Sequence, residues 1–236
     1  MFGLIRTTII AVVLAFNGGS ILAQDFQKGF AAYQSGDYVT ALQEWRPLAE
    51  QGYASAQYNL GVMYKNGRGV LKDYAEAVKW YRLAAEQGDA SSQSNIGVMY
   101  SKGKGVLQDY AEAVKWYRLA AEQGDANAQN NLGFMYENGR GVLQDYAEAV
   151  RWWRLAAEQG DAGAQSNIGV MYFKGKGVLQ DNVTAHMWYN IAAANGHKKS
   201  GEWRNQIAAK MTPADISKAQ SMARECMSSN YKNCGW

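Results

Sequence analysis

The sequence predicts an all-α solenoid of helix-turn-helix repeats closed by a C-terminal helical cap. Three observations carry this. Four series of four glycines recur every 36 residues: Gly61/97/133/169, Gly67/103/139/175, Gly69/105/141/177 and Gly88/124/160/196. Two aromatic series, Trp80/116/152/188 and Tyr64/100/136/172, keep the same period. Within each period, two stretches of helical apolar spacing are split by a Gly-x-Gly pair. A fixed period in this range marks an array of supersecondary units and not a domain with one centre.

Residues 1–23 come first, and they read as a targeting segment. Arg6 supplies a positive start, and Ile9 to Phe16 form a short apolar run. Asn17-Gly18-Gly19-Ser20 then break it ahead of Ile21-Leu22-Ala23. This is a secretory signal pattern with cleavage expected between Ala23 and Gln24. The apolar run is too short to span a bilayer, so no stable membrane insertion is expected once the signal is removed. No Cys lies near the cleavage point, so a lipid-anchored form is not expected. The chain from Gln24 onward is expected in the periplasm or outside the cell, in an oxidising compartment.

Residues 24–52 read as a degenerate first hairpin. Phe26, Phe30 and Tyr33 precede Ser35-Gly36-Asp37-Tyr38, and Ala41 and Trp45 follow. Four full units then cover 53–88, 89–124, 125–160 and 161–196. In the first, Ala56, Leu60, Met63 and Tyr64 give helix A a buried stripe. Gly67-Arg68-Gly69 ends that helix, because glycine accepts positive φ. Asp73 with Glu76 three residues on resembles a capping box and starts helix B. Ala77, Trp80, Tyr81, Ala84 and Ala85 form its inner face. Asp89 is placed to cap the next helix A. After 196 the period stops. Residues 199–210 read as one helix, and Thr212-Pro213 start another as N-cap and first helical residue. This tail, 197–236, is expected to cover the last repeat.

Composition excludes several function classes. There are 24 Lys+Arg against 21 Asp+Glu, a net charge of +3, which argues against a dedicated nucleic-acid binder. Two Cys and two His leave little room for a metal site, and no metal or cofactor is expected. His186 and His197 lie 11 apart with no Cys beside them. The glycine loops lack the spacing that cradles phosphates. Cys226 and Cys234 are expected to form a structural disulfide that staples the end of the cap.

The consensus A-x-A-Q-x-N-[LI]-G-x-M-Y-x-x-G-x-G-V-x-x-D-x-x-E-A-x-x-W-[YW]-R-x-A-A-E-Q-G-D over 53–196 resembles the Sel1-like repeats, relatives of tetratricopeptide repeats. Residues 26–52 look more like a plain tetratricopeptide hairpin. The resemblance implies a right-handed solenoid and adaptor roles in bacterial envelope complexes or at a host cell. The fourth copy departs from the pattern at Thr184, Met187 and Asn190, as a transition to the cap would.

In such arrays helix A lines the concave face. Asn59, Asn95, Asn131 and Asn167 recur there, and an amide that both donates and accepts can clamp an extended peptide backbone. Beside them Tyr58, Ser94, Asn130 and Ser166 vary, as do Lys65, Ser101, Glu137 and Phe173, which is where specificity is expected. The opposing reading has the Asn residues bonded to neighbouring backbone. The expected function is therefore a scaffold that binds a protein or peptide partner, and the cap argues for a monomer. A second reading takes the basic rows Arg68/Lys104/Arg140/Lys176, Lys79/Lys115/Arg151 and Arg82/Arg118/Arg154 as a surface for envelope polysaccharide or another polyanion. The pairs Glu76–Lys79, Glu112–Lys115 and Glu148–Arg151 weigh against it, since such pairs decorate solvated helix faces. A third, remote reading is a β-lactam hydrolase, because some Sel1-like proteins have been linked to β-lactams. Ser101-x-x-Lys104 and Ser229-x-x-Lys232 match S-x-x-K, but the accompanying S-D-N and K-T-G are missing. The chain is not expected to be an enzyme.

Overall fold

The computed structural model describes residues 25–232, 234 and 235; Ala23, Gln24 and the segment before them lie outside the described residues. Among the described residues twelve helices follow one another: α1 (25–34), α2 (Tyr38–Glu50), α3 (Ala54–Asn66), α4 (Tyr74–Glu86), α5 (Ala90–Lys102), α6 (Tyr110–Glu122), α7 (Ala126–Asn138), α8 (Tyr146–Glu158), α9 (Ala162–Lys174), α10 (Asn182–Ala194), α11 (Ser200–Ala208) and α12 (Pro213–Ser228). No strand occurs among the described residues. The chain divides into two compact units. Among the described residues, one holds 25–92 with Lys104–Val106, and the other holds Gln93–Gly103 with the described residues from Leu107 on.

Local chemistry sets the helix ends. Asp73 accepts from the backbone N–H of Ala75 and Glu76 at 2.8 and 3.0 Å, and Asp109, Asp145 and Asp181 cap α6, α8 and α10 in the same way. Asp89, Asp125 and Asp161 cap α5, α7 and α9 through the N–H of Ser92, Ala128 and Ala164. Only half of the expected capping box forms. The Glu carboxylates turn along the helix: Glu112 accepts from Lys115 and the Trp116 indole, and Glu148 from Arg151 and Trp152. Gly67, Gly139 and Gly175 end helix A in the left-handed conformation.

The core of each hairpin is built on a glycine and an aromatic ring. A Cβ on Gly61 would lie 2.5 Å from the Tyr81 ring, and on Gly133 it would lie 2.6 Å from Trp153. Glycine therefore lets the two helices of one hairpin close on a fully buried ring. Tyr81, Tyr117, Trp153 and Tyr189 take this central place. The preceding Trp80 and Trp116 are only half-buried, whereas Trp152 and Trp188 are buried. The second loop glycine serves a different contact. Gly177 has φ +70°, and a Cβ there would sit 2.5 Å from the Tyr146 backbone at the start of α8. Gly105 and Gly141 meet Tyr74 and Tyr110 in the same way. Each G-x-G loop thus lies on the first turn of the preceding helix B.

The tail packs on the last repeat. Helix α10 contacts α9, α11 and α12. Cys226 and Cys234 are joined in a disulfide, and both are buried with Ala223 in the cluster that holds Met187 and Trp188.

Candidate binding surface

Helix A carries two polar positions in every repeat, and they have opposite fates. The Gln of A-x-A-Q is buried. Gln57 donates to the Ala49 carbonyl at the end of α2 and accepts from Gln87 at 2.7 Å. Gln129 donates to Ala121 O and accepts from Gln159, and Gln165 donates to Ala157 O and accepts from Asn195. One amide thus joins the preceding helix B to the end of its own. Such a buried polar group is tolerated because both its ends are satisfied. The repeated Gln pair in A-x-A-Q and A-E-Q-G-D was the available signal for this network, and periodicity alone gave it no partner.

The Asn two residues later is half-buried in all four repeats. Asn167 Nδ2 donates to Asn130 Oδ1 at 3.3 Å, and Asn130 in turn donates to Asp161 at 3.1 Å. Asn95 also has a partner. Asn59 and Asn131 make no side-chain hydrogen bond among the described residues.

The variable positions beside them divide. Tyr58 is half-buried, its ring 5.9 Å from that of Tyr81. Asn130 is half-buried and bonded as above. Ser94 is 6 % exposed, and Ser166 is 1 % exposed and accepts from Ser200 Oγ of α11 at 2.9 Å. Ser166 faces the tail and not a partner, which corrects the expectation of an outward specificity residue there.

The basic rows are engaged inside the protein. Arg68 stacks on Tyr33 and Tyr38, Lys104 on Tyr74, Arg140 on Tyr110 and Lys176 on Tyr146, at 4.6–5.5 Å from the ring centres. Lys79, Lys115 and Arg151 pair with Glu76, Glu112 and Glu148. Arg46 and Arg118 donate to the hydroxyls of Tyr64 and Tyr136 in the next repeat at 2.9 and 2.8 Å. The periodic Tyr of helix A is thereby half-buried and held by its hydroxyl.

The two S-x-x-K serines are also spent locally. Ser101 Oγ donates to Val98 O and lies 3.1 Å from Tyr117 Oη, a phenol whose pKa burial pushes up to about 12. Ser229 Oγ donates to Cys226 O. His186 is buried in α10 and His197 Nδ1 lies 2.8 Å from Ser200 Oγ. Among the described residues no three His, Cys, Asp or Glu side chains come together as a metal cluster, and no helix is long and apolar enough to cross a membrane.

Four consecutive stretches, 54–89, 90–125, 126–161 and 162–197, match the Sel1 repeat family. This chain belongs to the Sel1 repeat family. Its fold matches solved structures of that kind. One is a protective antigen present in uropathogenic Escherichia coli strains and displaying an SLR fold, at 35 % identity and a TM-score of 0.79, covering 93 % of this chain and 49 % of that one. Another is a Sel1 repeat protein from Oxalobacter formigenes, at 34 % identity and 0.76, covering 88 % and 83 %. A Klebsiella pneumoniae sel1 repeat protein, at 23 % identity and 0.52 over 79 % and 93 %, shows the fold alone. The chain spans about half the length of the E. coli antigen. No curated protein matches it. Sel1 repeat proteins serve in general as scaffolds for protein–protein interaction.

Proposed function

We propose that the chain is an exported scaffold that binds a protein or peptide partner along the helix A face, the concave side in arrays of this family. The observation that carries this is an asymmetry in how the repeated polar residues are used. The Gln, Asp, Arg and basic-loop series are consumed by the fold, through amide, cap, phenol and ring contacts. The Asn series is only half engaged: Asn95 and Asn167 have partners, whereas Asn59 and Asn131 carry amides that the described residues leave unbonded, at half-burial, where a ligand backbone can reach them. The occupied basic rows disfavour the polyanion reading. The signal-like segment and the Cys226–Cys234 disulfide support an exported, oxidising location.

The test is affinity capture from the native envelope fraction. Chain starting at Gln24 is compared with an Asn59→Ala/Asn131→Ala variant of equal helical content. A protein retained by the first and lost by the second supports the reading. Equal retention by both refutes it.

A further inference from the structure

One groove stands apart from the repeated surface. It lies where α9, α10 and α11 meet, encloses about 720 Å³, and is walled by Phe173, Tyr189, Trp203 and Ile207. Its polar positions include Lys174, on the last residue of α9, and Lys210, just beyond α11. Neither lysine has an ion pair or side-chain hydrogen bond among the described residues, and no carboxylate lines the groove. That sets them apart from the loop and helix B cations, which are stacked or paired. Phe173 is 37 % exposed and occupies the position that carries Lys65, Ser101 and Glu137 in the earlier repeats. Trp203 and Ile207 belong to α11, which lies outside the repeats. The groove therefore exists only where the last repeat meets the tail. An apolar concavity of this size with a few polar groups at its edge is the usual form of a specific binding site.

We propose that this groove docks a short peptide segment of a partner protein whose apolar side chains are flanked by Asp or Glu. The apolar side chains seat among Phe173, Trp203 and Ile207, and the carboxylates meet Lys174 and Lys210. The proposal rests on the reading of the chain as a protein-binding scaffold, but it names a different surface from the Asn face.

A display library of random dodecapeptides tests it. The peptides are fused through their C-termini, so only side chains supply carboxylates, and they are panned on the chain from Gln24. Enriched peptides are then synthesised with fluorescein and titrated by fluorescence polarisation. The expected peptides carry apolar residues beside Asp or Glu. They bind at least about ten-fold more weakly to Phe173→Glu and to Lys174→Glu/Lys210→Glu, and more weakly at higher salt. Phe173→Glu places at this position the residue that Glu137 already supplies in the third repeat, so the repeat fold accommodates it. Failure to enrich, enrichment of peptides without acidic residues, or unchanged affinity for either variant overturns the proposal. Peptides lost by Asn59→Ala/Asn131→Ala but kept by Phe173→Glu overturn the groove while supporting the Asn face.

Discussion

Helices α8 and α10 occupy the same place in successive repeats, yet the face that α8 turns to water is buried in α10. In α8, Glu148 and Arg151 are paired on an exposed face, with Arg151 Nε donating to Glu148 at 2.8 Å. In α10 the equivalent residues are Thr184 and Met187, which are 7 % and 0 % exposed. Val150, buried in α8, becomes His186, which is buried as well, so here a polar ring replaces an apolar side chain at an interior position. The cause is α12, whose Ala223 and Cys226 pack in the cluster that contains Met187. Departures from a repeat consensus here record a second interface and not decay. An ion pair that contributes little at a surface would be costly beneath another helix.

Restoring the repeat's charge should break this contrast most severely. Met187→Lys buries an ammonium without a partner and is expected to destabilise by about 3–4 kcal/mol in urea titrations, whereas Met187→Leu should stay within about 1.5 kcal/mol. A smaller cost for the lysine would mean that α12 lifts away readily. Removing the staple comes next. The disulfide spans a separation of 8 residues, and Cys226→Ser/Cys234→Ser should cost about 2.5 kcal/mol by the chain-entropy argument, read as a lowered melting temperature. Reduced wild type should melt with the double variant.

The smallest effect concerns His186. Burial, then the charge of Arg204, holds its imidazole below the ordinary value of 6.5. The folded chain keeps it neutral, while the unfolded chain takes up a proton as pH falls through 6.5. Its contribution is therefore complete above that pH and is lost as pH falls toward the lower folded value. His186→Val, which restores the residue of the other repeats, should flatten stability across that window. An unchanged slope would assign the dependence elsewhere.

The sequence made the helices and their caps legible because both depend on nearby residues. Asp73 reaches donors two and three residues away, and Gly67 acts through its own φ. Contacts about 30 residues away left weaker traces. Gln57 and Gln87 both recur, but nothing local says that they bond to each other. Loop glycines were readable as turn residues, whereas the approach of Gly177 to Tyr146 needed the folded chain. The sequence leads one to expect Tyr64 and Trp80 to fill the space beside Gly61, whereas the ring packed against Gly61 is Tyr81, and Trp80 is only half-buried. The groove beside Phe173 was not legible, since two of its walls come from a helix outside the repeat.

The Gln pairs and the loop-to-tyrosine contacts carry a consequence for how such a gene can change. Gln129 reaches back to Ala121, Gln159 reaches back to Gln129, and Lys176 reaches back to Tyr146, so each bond connects residues one copy apart or closer. Copying or deleting 36 codons in register would recreate every one of these bonds at the new junction. The array can therefore lengthen or shorten by whole copies, while Met187, His186 and the disulfide-bonded tail must stay together as a single inherited terminus.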